Sequence, residues 1–180
     1  MLAGRKNLVT VSILVVFCGA QSLSSLVTVQ RIAFGSCNNP AHQGVWRQIQ
    51  LAEPDKLILL GDTIYADRVM YADRSKFFEV VTPSHISDQY TLLKEDIEWK
   101  SLLKQLNGFE NIMATFDDHD YGTNNGHKNF PHRNTSQSLF WDFINVPKES
   151  SVRLQSGVYS SKTIRIGTGP NEFIYKVWLR

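Results

Sequence analysis

Leu57-Ile58-Leu59-Leu60-Gly61-Asp62 sets four apolar residues against a glycine and an acid. A short apolar run closed in this way reads as a strand buried on both faces, the pattern of a parallel sheet. The theme recurs on either side. Val27 to Phe34 is rich in strand formers and runs into Gly35-Ser36-Cys37, and Ile112 to Phe116 runs into Asp117-Asp118-His119-Asp120. Between these strands the spacing predicts helices. Ala41 to Glu53 carries Val45, Trp46, Ile49 and Ala52 on one stripe and stops at Pro54. Ser87 to Leu106 is expected to turn Tyr90, Leu93, Ile97 and Leu106 inward and to stop at Asn107-Gly108. Arg68 to Phe78 is expected to be helical in part, and Asp73 to cap that helix. Ser136 to Ile144 reads as an aromatic helix after a polar loop, Gly122 to Arg133. Gly157 to Ile166 and Phe173 to Leu179 read as two strands around Gly167-Thr168-Gly169-Pro170. Alternation of strand and helix predicts an α/β sheet. Ligands of such sheets gather at the carboxyl ends of the strands, which here are the three polar termini just named.

The composition is that of an ordinary folded chain: 180 residues, 42% hydrophobic, 20% charged and 11% aromatic. It excludes collagen, coiled coil and wholesale disorder. The length suits one domain with a core of its own. The formal net charge is +2, and Arg5 and Lys6 account for it. Without them the chain has no global basic field, so neither non-specific nor sequence-specific nucleic-acid binding is expected.

Arg5 and Lys6 open a segment that reads as a secretory leader over residues 1–20. Leu8 to Phe17 forms the apolar stretch and Cys18-Gly19-Ala20 offers small residues for cleavage before Gln21. The apolar stretch falls short of the roughly 20 residues that span a bilayer, so a stable span is not expected and an uncleaved N-terminal anchor is the alternative. The expected location is the secretory pathway or the extracellular space. Cleavage would leave Cys37 as a lone thiol that is buried, paired with another chain, or bound to metal. Asn134-Thr135-Ser136 is a glycosylation sequon.

Chemistry concentrates at the three strand ends. Asp62, held by a rigid strand, can present a carboxylate to a metal, and Tyr65 three residues on can present a phenol. Hard oxygen donors of this kind favour hard cations such as Fe(III), Ca or Mg. The plainer alternative makes Asp62 a turn cap and Tyr65 core. Asp117-Asp118-His119-Asp120 crowds titratable groups that raise one another's pKa values unless a cation lies among them. His119 there is a metal ligand or an acid that protonates a leaving group. Gly35-Ser36 suits a tight turn whose amides cradle an anion, and Cys37 as thiolate is a soft metal ligand, with a buried inert thiol as the alternative. Asp67 either neighbours the metals or caps the following element. Trp46, Trp99 and Trp141 read as core or groove aromatics. His127, Lys128, His132 and Arg133 read as a solvated loop with phosphate contact as the alternative.

Ala33-Phe34-Gly35-Ser36-Cys37, Gly61-Asp62-Thr63-Ile64-Tyr65-Ala66-Asp67 and Thr115-Phe116-Asp117-Asp118-His119-Asp120-Tyr121-Gly122 together resemble the signature blocks of the PhoD-like alkaline phosphatase D family, a branch of the metallophosphoesterases. The resemblance runs on through Ser138-Leu139-Phe140-Trp141-Asp142-Phe143 and Gly157-Val158-Tyr159-Ser160-Ser161, covering roughly residues 29–165. It implies two metal ions, Fe(III) with Ca(II) or other divalent metals, and hydrolysis of phosphomono- or diesters by a metal-activated hydroxide. Substrates of small-molecule, lipid or nucleotide type are implied. By the same match Cys37, Asp62 and Tyr65 are iron-side ligands, Asp118 is a ligand of the second metal, and His119 assists the leaving group. Asp67, Asp117 and Asp120 are possible secondary ligands.

The family's later blocks supply further histidines, whereas this chain has five: His42, His85, His119, His127 and His132. The expected fold is therefore an incomplete metallophosphoesterase-like αββα sandwich whose C-terminal half is missing, with residues 21–180 as its N-terminal portion. Such a half-built sheet is expected to leave an open edge and an uncovered apolar face. The competing functional expectation is a truncated, non-catalytic product that binds a metal or a phosphorylated ligand. A lipase-type esterase is unsupported, because no Gly-x-Ser-x-Gly elbow occurs. An EF-hand is unsupported too, because its spaced oxygens do not line up.

Overall fold

Three parallel strands form the frame, as the apolar runs require. In the computed structural model, which describes residues 12–15, 31–38, 43–70, 75–77, 81–166 and 173–179, β2 (Arg31–Gly35) pairs in parallel with β3 (Lys56–Leu59), and β3 with β6 (Ile112–Ala114). β1 (Ser12–Val15), inside the segment read as a leader, lies antiparallel on the outer edge of β2, giving the order β1-β2-β3-β6. The rest of the leader reading, including the cleavage point, falls outside the described residues.

Side chains alternate across this sheet as the pleat dictates. Ala33, Leu57, Leu59, Ile112 and Ala114 face the main core, where they meet Trp46 and Ile49 of α1 (Val45–Leu51) and a layer of aromatic residues. That layer comes from α2 (Pro83–Glu95), α3 (Ile97–Gln105) and α5 (Arg133–Phe143). Trp99 meets Trp46 edge-on at 4.9 Å, and stacks on Phe143 at 5.6 Å. Such pairs add about 0.5–1.5 kcal/mol beyond their buried area. The three tryptophans read as core or groove aromatics are all buried.

Ile58 and Met113 point to the other face and pack with Ile32, Phe34, Val177 and Leu179. The last two belong to β8 (Phe173–Leu179), which pairs antiparallel with β7 (Ser160–Ile166). The hairpin thus corrects the expectation of a wholly uncovered second face. One strand of it begins the second layer, while Trp178 stays 60% exposed.

Three local expectations are also corrected. Arg68 to Phe78 contains no helix among its described residues. β4 (Arg68–Met70) and β5 (Ser75–Phe77) pair antiparallel instead, and Asp73 lies outside the described residues. Val69 and Phe77 are strand formers, and a hairpin satisfies their backbone locally. The single helix over Ser87 to Leu106 is two. Asp96 takes an extended conformation between them, and its carboxylate accepts the Trp99 amide at 2.8 Å as the N-cap of α3. That break turns the face, so Ile97 is 80% exposed and Trp99 and Leu102 are buried in its place. The start of α2 is fixed by Pro83 in its first turn and by the Thr82 amide donating to His85 Nδ1 at 3.3 Å. The helix expected over Ala41 to Glu53 is α1, with residues 41 and 42 outside the described residues.

Candidate metal centre

The loops leaving β2, β3 and β6 are stitched to one another by main chain. Leu60 N donates to Gly35 O at 2.8 Å, Asn38 N to Asp62 O at 2.9 Å, and Thr115 N to Leu59 O at 3.0 Å. This extends the ladder past the last strand residues, so the three polar termini cannot splay apart. Gly61 (φ 101°) lies against the next loop. A Cβ there would come within 2.5 Å of Asp117 Cβ and 2.7 Å of Asp117 N. Cys37 (φ 61°) and Asp62 (φ 50°) both hold left-handed backbone. Non-glycine residues in such conformations cost on the order of 1–3 kcal/mol each and cluster at functional sites.

Asp62 is the hub. It is buried, and its Oδ2 accepts the Tyr65 hydroxyl at 3.1 Å and the Cys37 thiol at 3.6 Å. Its Oδ1 accepts the His119 amide at 3.4 Å. Carboxylate, phenol and thiol thereby converge from two strand ends. Cys37 itself is exposed and forms no disulfide among the described residues, so the alternative of a buried inert thiol falls. Burial raises the Asp62 pKa. The His119 charge and the Tyr65 hydroxyl oppose the rise, and Asp118 and Asp117 add to it. Burial and the Asp62 charge likewise push the Tyr65 phenol well above its ordinary range. A cation at this point would reverse both effects, because it favours the deprotonated donors.

The third terminus forms α4 (Asp118–Tyr121). Asp117 caps it, accepting the Asp118 amide at 2.9 Å, and Gly122 (φ 130°) ends it. Asp62, Asp118 and His119 each offer a ligand atom, all within 4.8 Å of one another, a buried acid and histidine cluster able to hold a metal ion. Asp118 Oδ2 accepts the Asn125 amide, which fixes its rotamer. His119 Nδ1 lies 3.0 Å from Asp67 Oδ1, and Asp67 Oδ2 accepts the Asn124 amide at 2.9 Å. Burial alone would lower the His119 pKa and raise that of Asp67. The bond between them wins in both, raising His119 and lowering Asp67. Nδ1 is thus committed to Asp67, and Nε2 is left to carry the chemistry of the ring. The Tyr65 ring packs with its centroid 4.3 Å from that of the imidazole, and the Arg68 guanidinium lies 4.5 Å from the Tyr65 ring centre.

Cys37, Asp62, Tyr65, Asp67, Asp118 and His119 therefore meet, while the other residues named from the sequence do different work. Asp120 is completely buried and accepts the Thr63 amide at 3.0 Å and the Asp117 amide at 2.9 Å, pinning one strand-end loop to another. Its pKa is pushed up to about 7 by burial, against the pull of those amides. Asp117 is an exposed cap. Asn134 is exposed on α5, is not a member of the cluster, and takes the Arg133 Nε–H at 3.4 Å. Sequence reasoning left the Asp67 partner open and did not find the amides of Asn124 and Asn125. The turn chemistry of Asn124-Asn125-Gly126 was their only signal.

An open cleft of about 450 Å³ runs past Asp117 and Asp118 between Tyr121, Gly157 and Tyr159. Compared with protein families, curated proteins and solved structures, the chain finds no match.

Proposed function

We propose that this chain carries the ligand set of a secreted metal-dependent phosphoesterase similar to the PhoD-like alkaline phosphatase D family, on part of a metallophosphoesterase-like αββα sandwich. The observation that carries the reading is the convergence of Cys37 and Tyr65 on one carboxylate oxygen of Asp62, 3.6 Å and 3.1 Å away, with Asp118 and His119 alongside. Helices on one face of the sheet and β8 on the other support the layered fold.

The donors fit a hard trivalent or divalent cation. A phenol, carboxylates and one thiolate suit Fe(III) at the Cys37–Asp62–Tyr65 corner, and the oxygens of Asp62 and Asp118 suit Ca(II) or a similar ion beside it. Bound metal supplies charge for the phosphoryl oxygens and acidity for the attacking water. Asp67 holds the imidazole of His119 by Nδ1 and favours its protonated form, so Nε2 has a proton to give a departing alkoxide. The Asp67–Asn124 bond keeps that pair in one orientation, and the Tyr65 ring shields one side of it.

A second reading has an observation of its own. His119 is the single histidine in the cluster among the described residues, which favours a protein that holds metal without turnover. One experiment separates the two. The chain is loaded with iron and calcium and given bis(p-nitrophenyl) phosphate, beside Asp62→Asn and His119→Ala. The phosphoesterase reading expects turnover that vanishes together with metal in Asp62→Asn. It expects His119→Ala to keep its metal and lose about 10²–10⁴ in rate. Metal uptake with no turnover above the Asp62→Asn background selects the second reading. Failure to take up metal removes both.

A further inference from the structure

The cleft beside Asp118 continues into a second pocket of opposite charge. Tyr121 and Gly157 wall both spaces. The second is larger, about 520 Å³, and lies between α5 and the 3₁₀ turn Ser151–Leu154. That volume is within the usual range for small-molecule sites, roughly 300–1,000 Å³. Lys128, Arg133 and Arg153 line it and no acid does. Arg153 is spent on structure. It donates to Asp142 Oδ1 at 2.8 Å, to Pro147 O at 2.9 Å and to Val146 O. Lys128 and Arg133 are ion-paired with nothing among the described residues, and Arg133 Nη1 is anchored on Lys128 O at 2.6 Å. The Arg133 guanidinium is thereby fixed to the main chain of Lys128, and neither cation has an acidic partner among the described residues.

Trp141 forms part of the wall and is only 2% exposed, with its indole Nε1 buried away from the open space. The opposite wall is built rather than loose. Gln137 Nε2 donates to Gln155 O at 2.8 Å, and Gln137 Oε1 accepts the Gly157 amide at 3.0 Å. A group bearing negative charge in this pocket would meet both cations.

We propose that this pocket is a subsite for an anionic group on the substituent of the phosphoester, held by Lys128 and Arg133, with the Trp141 ring in its wall. The inference rests on the phosphoesterase reading of the neighbouring cluster and narrows its substrates to esters that carry a second negative charge beyond the phosphoryl group. The acidic cluster and the basic pocket would then divide the substrate between them, the metals taking the phosphoryl group and the pocket the second anion.

Two measurements on the full chain decide it. In metal-free buffer with chelator, the Trp141 indole N–H resonance is followed during titration with benzoate and with benzamide, its neutral isostere. A Trp141→Phe variant assigns the signal. The expected result is a saturable shift with benzoate, none with benzamide, and none in Lys128→Gln/Arg133→Gln. No benzoate shift, or an equal shift with benzamide, overturns the pocket whatever the catalytic result. With metals present, 3-carboxyphenyl p-nitrophenyl phosphate is then compared with phenyl p-nitrophenyl phosphate. The expected preference in kcat/KM is about tenfold or more for the carboxylate ester, the worth of one charge-assisted hydrogen bond. It should fall to about one in the double glutamine variant and return in Lys128→Arg/Arg133→Lys. Equal rates for the two esters overturn the subsite. A benzoate shift with neither ester cleaved overturns the phosphoesterase reading and the substrate role built on it, and leaves an anion pocket alone.

Discussion

Asp120 ties two strand-end loops together beside the acid and histidine cluster. It is wholly buried, and each of its oxygens receives a main-chain amide from a different strand-end loop. Asp120→Ala strands the amides of Thr63 and Asp117, and an unsatisfied buried group costs about 1–3 kcal/mol. The expected loss of stability is about 2–4 kcal/mol for the pair, read from denaturant midpoints. Asp120→Asn keeps one carbonyl acceptor and should lose roughly half as much. Equal losses for the two variants would mean that the amides are satisfied elsewhere. From the sequence, Asp117 to Asp120 was one acidic burst. Only the fold separates a cap, a ligand, an imidazole and a pin, because the separation depends on which way each side chain leaves a single turn of helix. Asp67 was equally undecidable from the sequence, since its partner, His119, is 52 residues away along the chain.

At the scale of elements, the strand ends matter more than the strands. Gly61 permits β3 to approach the loop after β6 more closely than any side chain allows, and it does so at φ 101°. Gly61→Ala should therefore push Asp62 and Asp118 apart and lower metal affinity about tenfold or more, although no ligand is changed. Calorimetric titration with the metal measures it, and unchanged affinity would show that the loops part freely. The leucine-rich run before Gly61 made β3 legible, because only a buried parallel strand explains four apolar residues closed by Gly-Asp. The break at Asp96 was not legible. Asp96-Ile97 sits in continuous helical spacing, and the preference of aspartate for an N-cap competes there with propagation of the helix. The β4–β5 hairpin was missed for a related reason, since local pairing overrode a weak helical pattern.

The end of α5 adds an electrostatic tie. Asp142 receives Lys148 at 2.5 Å and Arg153 at 2.8 Å. Burial would raise its pKa, but the two cations outweigh that and hold it below the ordinary carboxylate value. A group depressed on folding stabilises the protein above its unfolded pKa, about 3.9, and that contribution is lost as pH falls through the lower folded value. Thermal midpoints of the native chain should thus be flat in this respect above about pH 5 and drop below pH 4, while Asp142→Asn loses that part of the slope. The difference is about 0.2–1 kcal/mol, because the aspartate is partly exposed and screened. A variant with the same acid slope as the parent would show that the pairs do not persist in solution.

Among the described residues, three parallel strands and the antiparallel β1 form one sheet with helices on one face, a hairpin beginning the other, and the acid and histidine cluster at one end. The alternation of strand and helix foretold the α/β arrangement, and the rule that ligands collect at carboxyl strand ends pointed to the place where Asp62, Asp118 and His119 cluster. The second face was harder to read. The apolar side chains on β8 signal burial, but nothing in their spacing says which face of which sheet receives them. The outer edge of β2 brings a different matter into view. Ser12–Val15 occupies it, residue for residue from Ser12 opposite Phe34 to Val15 opposite Arg31. A signal peptidase cutting after Ala20 would carry that strand away and leave the main chain of Arg31–Gly35 bare along one side. Deuterium uptake at those amides should then be slow in the chain that begins at Met1 and fast in one that begins at Gln21, so the proteolytic history of a preparation would be written on a strand that the peptidase never touches.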